Sequence, residues 1–575
     1  MRNSFILRVA SYQLPVTGNR LLPMAYCLLP TLVLTLLTSF ATAQDQGEIQ
    51  KVEIEIVKDR QITLPKADRN FEKVPPRPAE PIKPEITYDF KNVAFITPDY
   101  NPAIRPLKLK TEPISKIYGN YISAGYGNYA SPYLEGYATT KRDKNKFYGA
   151  KLFHHSFGNG PIDSGSSASG TTELKVFGRT FGQSLVAGGF LSFENRGAKF
   201  YGELPPIFKG DASSQAYSYF SLGADVGNSK PADFNYNLRG WFSYLKDNFS
   251  SSENEVNLNL TSAYKIDDDK KLVINADYFL MSRKSGSESR ARHIFSVKPS
   301  YQFSLIENLL LTVGVNAAFQ NDTLGTVKSI NLYPNVRADY ELSDDIQAYA
   351  ALTGDIDKVS LHSLSRENLW LDQNVLLNHT NRTFDFSAGL KGKLAGKFAL
   401  QAGFSFANLK NLYFYKNNVA KAERFDVVYD QGNTTRTNLF GEVGFSSADK
   451  VKMLLRADIF GYSTAKQAEA WHRPTYRFGF TSSYNLYNKL LFDVDLIAQG
   501  GMKALSIDQQ VGNVISYKTV TISSAFDLNL KASYLVSNQV SIFVKCNNIL
   551  NNQYQVYLYY PARGLQAMAG LTWSF

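Results

Sequence analysis

Cysteine is almost missing from this chain of 575 residues, which has only Cys27 and Cys546. Tryptophan, with four residues, and histidine, with six, are nearly as scarce. Two cysteines so far apart give no disulfide framework, and Cys27 falls in a leader that is expected to be removed, so the mature chain cannot form an internal bridge. Tyr26 before Cys27 puts a bulky residue where a lipid-attachment site needs a small one. Beyond that leader, 18 consecutive apolar residues occur nowhere, which excludes a membrane-spanning helix. The histidines at 154, 155, 293, 362, 379 and 472 are scattered, and His154 and His155, adjacent on a strand, point to opposite faces. G-x-S-x-G, H-E-x-x-H and phosphate-loop motifs are absent, and His-His-Ser at 154–156 is poorly placed for a nucleophile and its base. The acidic turns 266–270 and 343–345 lack the calcium-loop pattern. Catalysis, a metal and a cofactor are therefore not expected. No basic cluster accompanies the net charge of +11, so nucleic acid is not an expected partner.

What the chain does have is aromatic residues: 35 tyrosines and 38 phenylalanines. At the start, Arg2, Arg8 and Arg20 precede the apolar run LLPTLVLTLLTSF, which ends in Ala41-Thr42-Ala43 before Gln44. A basic region, an apolar stretch and a small-residue site predict a secretory signal peptide over 1–43, cleaved between Ala43 and Gln44. Residues 44–115 are rich in proline, as in EKVPPRPAEPIKPE, which excludes a long helix or a central strand. They read as an extended periplasmic segment. Within it KVEIEIVK alternates apolar and acidic residues and could add as a strand to a partner's sheet edge.

From residue 116 onward the pattern is strand, turn, strand, loop, repeated to the end. The final residues show it best: Leu565, Ala567, Ala569, Leu571, Trp573 and Phe575 share one parity, and Gln566, Met568, Thr572 and Ser574 share the other. A terminal aromatic strand, short turns such as RDKN and SADK alternating with long loops, and about 22 such strands predict an all-β fold. That fold is a transmembrane antiparallel β-barrel with apolar residues toward lipid and polar residues toward the lumen. The stretch 517–534 reads as one strand, as does 539–552. An even strand count places both termini in the periplasm and the barrel in the outer membrane of a Gram-negative cell.

The stretch SIFVKCNNILNNQYQVYLYYPARGLQAMAGLTWSF resembles the C-terminus of TonB-dependent outer-membrane receptors at Asn548, Ile549, Leu550, Tyr554, Pro561, Arg563, Gly564 and Phe575. FDVVYDQGNTTRTNLFGEVGF, 425–445, is similar to the strand region preceding it. The resemblance covers roughly 117–575 and implies a 22-strand barrel, with Trp573 and Phe575 as the signal read by the barrel-assembly machinery. It departs from the family at 44–115, which is too short and proline-rich for a plug domain. KVEIEIVK resembles the family's TonB-pairing box, which would make Val52, Ile54 and Ile56 the contact strand.

Long loops on a rigid scaffold carry function. The 357–380 loop offers His362, Arg366, Trp370 and His379 as contacts for an outward ligand or partner, and Trp471-His472-Arg473 reads as a second, exposed cluster. Folding over the barrel mouth is the plain alternative for both. A barrel this wide needs a filler: the 44–115 segment, its own loops, or a second protein. Three functions fit: a receptor-like transporter of a solute whose 44–115 segment would meet TonB, a plugless scaffold or partner in an outer-membrane complex whose 44–115 segment reaches other periplasmic proteins, and a passive porin-like channel.

Overall fold

The computed structural model describes residues 117–575 apart from 142, 163, 203–212, 286–287, 323–327, 449 and 512–513. The cleavage site Ala41, Ala43 and Gln44 and the strand of Val52, Ile54 and Ile56 lie outside the described residues, as does the whole 44–115 segment.

Period-two alternation makes strands here, and 22 of them join edge to edge in one antiparallel sheet. The sheet closes on itself. The first strand, Asn120–Gly127, pairs with Ser131–Thr139 on one side and with the last strand, Gln566–Ser574, on the other. Phe575 completes the seam by exchanging backbone hydrogen bonds with Asn120 at 3.0 and 3.1 Å. A closed barrel has no unpaired edge, the condition for a sheet in hydrocarbon.

The two faces follow from the same alternation. In the last strand Ala567, Ala569, Leu571 and Trp573 are exposed on the outer wall, while Gln566, Met568, Gly570 and Thr572 are turned inward. Trp573 stacks on Phe575 with ring centroids 4.1 Å apart. Leu222, Leu238, Leu258 and Tyr264 continue the outer belt. The inner wall holds charges in matched sets, as burial of an unpaired charge would cost several kcal/mol. Lys298 bridges Asp277 at 3.1 Å and Asp355 at 2.7 Å, and Arg456 joins Asp458 at 2.8 Å and Glu442 at 3.1 Å. His154 and His155 do point to opposite faces: one contacts Thr172, the other Ser131.

Connections alternate in length. Short turns join strands at one end, as between Ile346–Asp357 and its predecessor Ile330–Ser343. At the other end the chain runs long between Asp357 and Thr380, between Ser463 and Tyr476, and between Asn547 and Gln566.

Two strand readings are corrected. The stretch 517–534 is two elements: Val514–Thr521 pairs with Lys503–Val511 in a separate hairpin, and the barrel strand is Ala525–Leu535. Ile522 is buried against Met502, Ala504 and Tyr559, whereas Phe526 faces outward. One parity, apolar but for Ser524, thus serves a core in its first half and the membrane in its second, which period alone cannot separate. The strand Val540–Asn547 stops before Asn548, whose φ of 49° turns the chain, a conformation asparagine tolerates. The strand Phe425–Ser447 spans the whole of the 425–445 stretch.

Candidate functional site

The long loops fold inward and meet in a buried aromatic cluster. Residues 358–379 contribute Trp370 and several aliphatic side chains to it. Ser360 caps the short helix Leu361–Glu367 in a box with Ser363. The wall residue Glu253 accepts from the amides of Leu361 at 2.8 Å and His362 at 3.0 Å, satisfying the helix's free donors. Leu361 and Leu364 are buried beneath. Farther along, Arg283 donates to the carbonyls of Gln373 and Val375, and Tyr429 bonds both Leu376 and Asn378, so the wall holds the loop along its length.

Trp370 is the centre. Its ring stacks on Tyr560 at 4.1 Å and meets Tyr201 edge-on at 5.8 Å and Tyr557 at 6.1 Å. Its indole N–H donates to the carbonyl of Lys199 at 3.1 Å. Tyr557 and Tyr560 sit on a two-strand ribbon, Gln555–Tyr557 with Tyr560–Pro561, turned by Tyr559 with φ of 69°. Phe425, wholly buried, touches Tyr557, Tyr560 and His472. Buried Arg424 lies over Phe200 at 4.5 Å and reaches Asp372. Glu367 ties the periphery together, accepting from Tyr413 at 2.6 Å, Tyr415 at 3.1 Å and Arg473 at 2.9 Å.

The three histidines of these loops are held neutral. His472 Nδ1–H donates to the carbonyl of Tyr415 at 2.8 Å, and Nε2 accepts from the amide of Leu558. His379 Nδ1 accepts from the amide of Val359 at 3.0 Å, and His362 Nε2 accepts from Arg366 Nε at 3.0 Å. Every one of these donors must donate, so protonating the ring would set donor against donor. Burial pushes His379 and His472 down to about 4 and, aided by the Arg366 charge, His362 to about 3.

Of the residues singled out from sequence, Trp370, His379 and Trp471 are buried within this closure, and His362 is stacked flat on Tyr219 at 3.7 Å. Arg366 pairs with Glu194 and keeps about half its side chain open at 48%. The reading of Trp471-His472-Arg473 as an exposed cluster is corrected: Trp471 is 3% and His472 7% exposed, because this loop dives into the mouth. Tyr557 and Tyr560 were not anticipated. Their signal is VYLYYP, whose tyrosines break the period of two just before a proline. The residues that carry the family resemblance shape the same loop. Asn548 bonds Asn552 and the Arg563 carbonyl, Tyr554 donates to Asp527 at 3.1 Å, and Arg563 lies over Phe157 at 4.0 Å. Among the described residues no cluster of three histidine, cysteine or acidic side chains could hold a metal ion.

No family model matches the chain, and no curated protein matches it. Solved structures do. The FrpB iron transporter of Neisseria meningitidis superposes with a TM-score of 0.62 at 9% identity, over 80% of this chain and 82% of that one. The ferripyoverdine receptor of the outer membrane of Pseudomonas aeruginosa gives 0.59 at 14% identity, over 80% and 72%. The ferric-catecholate import receptor Fiu of Escherichia coli K12 gives 0.58 at 9%, over 80% and 82%. The likeness at such identities is one of fold: a closed 22-strand barrel built like those of outer-membrane receptors.

Proposed function

We propose that this protein is a TonB-dependent-receptor-like barrel that moves a solute across the outer membrane through a gated lumen. The observation that carries the reading is the inward closure around Trp370 and Tyr560 on a barrel of receptor width. A permanently open porin-like channel has no use for a mouth knitted by stacked rings and buried ion pairs. The fold neighbours include an iron transporter and a ferric-catecholate import receptor, which supports import as the direction. In this reading the short turns and both termini face the periplasm and the long loops face outward. Residues 44–115 then lie where a periplasmic energy-coupling protein can reach them, with Val52, Ile54 and Ile56 as the contact strand. Trp573 and Phe575 serve as the insertion signal. Arg366, about half open at the rim of the closure, is the residue a ligand from outside meets first, with His362 beside it at 3.0 Å and Arg473 held by Glu367.

A photo-crosslinker at Ile54 of the full chain, expressed in cells, tests the coupling. An adduct with TonB is the expected outcome. Adducts only with other periplasmic proteins would overturn energised transport and favour the scaffold reading, to which the proline-rich 44–115 sequence is also suited.

A further inference from the structure

On the inner wall beside the closing seam, two lysines stand face to face. Lys531 of strand Ala525–Leu535 and Lys545 of strand Val540–Asn547 are direct cross-strand partners on the lumen parity. Directly opposed like charges destabilise a sheet, their Cβ atoms being about 5 Å apart. Among the described residues neither lysine is in an ion pair, and Lys531 only overhangs the Phe543 ring at 5.7 Å. Of the carboxylates nearby, Asp495 is within electrostatic reach of Lys545 without forming an ion pair with it, and two others have other donors. Asp493, opposite Lys531 on its far side, accepts from Ser483 at 2.8 Å, and Glu135 accepts from Tyr133 and Tyr137.

Both lysines line one concavity together with Gln566, His155 and Ser131. Gln566 is only 5% exposed, and neither its amide nitrogen nor its amide oxygen has a hydrogen-bond partner among the described residues. A buried amide left so is a net cost to the fold unless something binds to it. Two ammonium groups and an amide whose N–H groups have no acceptor thus line one concavity. Phe543 floors the site, and glycine at 570 in the neighbouring strand lets its ring lie flat against the seam, since a Cβ there would strike it.

We infer that this hollow binds a small oxyanion, a phosphate- or carboxylate-bearing group, held between Lys531 and Lys545 with Gln566 donating from the side. The site is independent of the loop closure and of whether transport is energised. It gives the lumen one fixed station for negative charge on a wall whose other charges are largely paired.

Calorimetric titration of the full mature protein in detergent with sodium phosphate and, separately, sodium citrate tests it, with sodium chloride matching ionic strength. Saturable one-site binding of at least one of the two is expected, phosphate preference indicating a phosphate source and citrate preference a carboxylate one. Lys531→Gln and Lys545→Gln each weaken it about tenfold or more, the worth of a charge-assisted hydrogen bond, and Gln566→Leu weakens it by less. Melting gives a second readout that does not rely on binding heat: without added anion, the lysine variants melt no lower than the parent, because the repulsion is relieved. The bound anion raises the parent's midpoint and not theirs. Absence of saturable binding by both anions, equal binding by all variants, or lysine variants that melt lower without anion would overturn the site.

Discussion

Trp370 is one residue of four of its kind in the chain, and its surroundings explain why a single ring can matter so much. It stacks on Tyr560, touches Tyr201 and Tyr557, and spends its N–H on the backbone of Lys199. Trp370→Ala should cost the closure about 3–5 kcal/mol, the usual loss for a buried aromatic cut to alanine. Limited proteolysis should show it as fast cleavage within 358–379, while the barrel itself keeps its resistance to detergent at room temperature. The loop histidines add a pH dependence whose sign is fixed. Their folded values, about 4 for His379 and His472 and about 3 for His362, lie below the ordinary 6.5. A depressed value means the unfolded form binds more protons, so the stabilisation is complete above pH 6.5 and drains away as pH falls toward those folded values. Protease sensitivity of the loops between about pH 7 and pH 4 should rise as pH drops. His472→Gln, which keeps a donor and an acceptor on one side chain, should flatten part of that rise.

Among the elements, the 358–379 loop and the seam depend on different physics. The loop is held by polar ties to the wall, so Glu367→Gln, which removes the charge shared by Tyr413, Tyr415 and Arg473, should loosen it by about 1–3 kcal/mol. Differential scanning calorimetry should resolve this as an earlier, smaller transition ahead of barrel melting. The seam depends on backbone proximity. A side chain at Gly570 would meet the Ala124 carbonyl and the Phe543 ring, so Gly570→Leu should yield less of the heat-modifiable folded barrel on a semi-native gel, with Gly441→Ala, where space is open, as the silent control. The barrel elements were legible in the sequence because lipid on one side and water on the other impose a strict period of two, clearest in Gln566–Ser574. The closure was much less so. Ile522, Trp471, Tyr557 and Tyr560 are apolar or aromatic residues in loops, and nothing in their local pattern says whether they meet solvent, a ligand or one another. Only the meeting of loops distant in sequence, such as Trp370 with Tyr560, settles that, and it is invisible one segment at a time.

At the scale of the whole molecule, the outer belt of leucine and aromatic side chains fixes the barrel in the membrane, and paired charges line its inner wall. The width of a 22-strand barrel leaves a lumen that its wall side chains cannot fill. The central claim is that the chain's own loops shut the mouth of that lumen through the Trp370 and Tyr560 cluster. Single-channel conductance in planar bilayers tests it most directly, using protein lacking residues 44–115 so that no other part of the chain can block the current. The version with intact loops should stay silent, and the same protein carrying Trp370→Ala and Tyr560→Ala should conduct. Equal, sustained conductance from both would mean that the loops do not close the barrel, and would contradict the account.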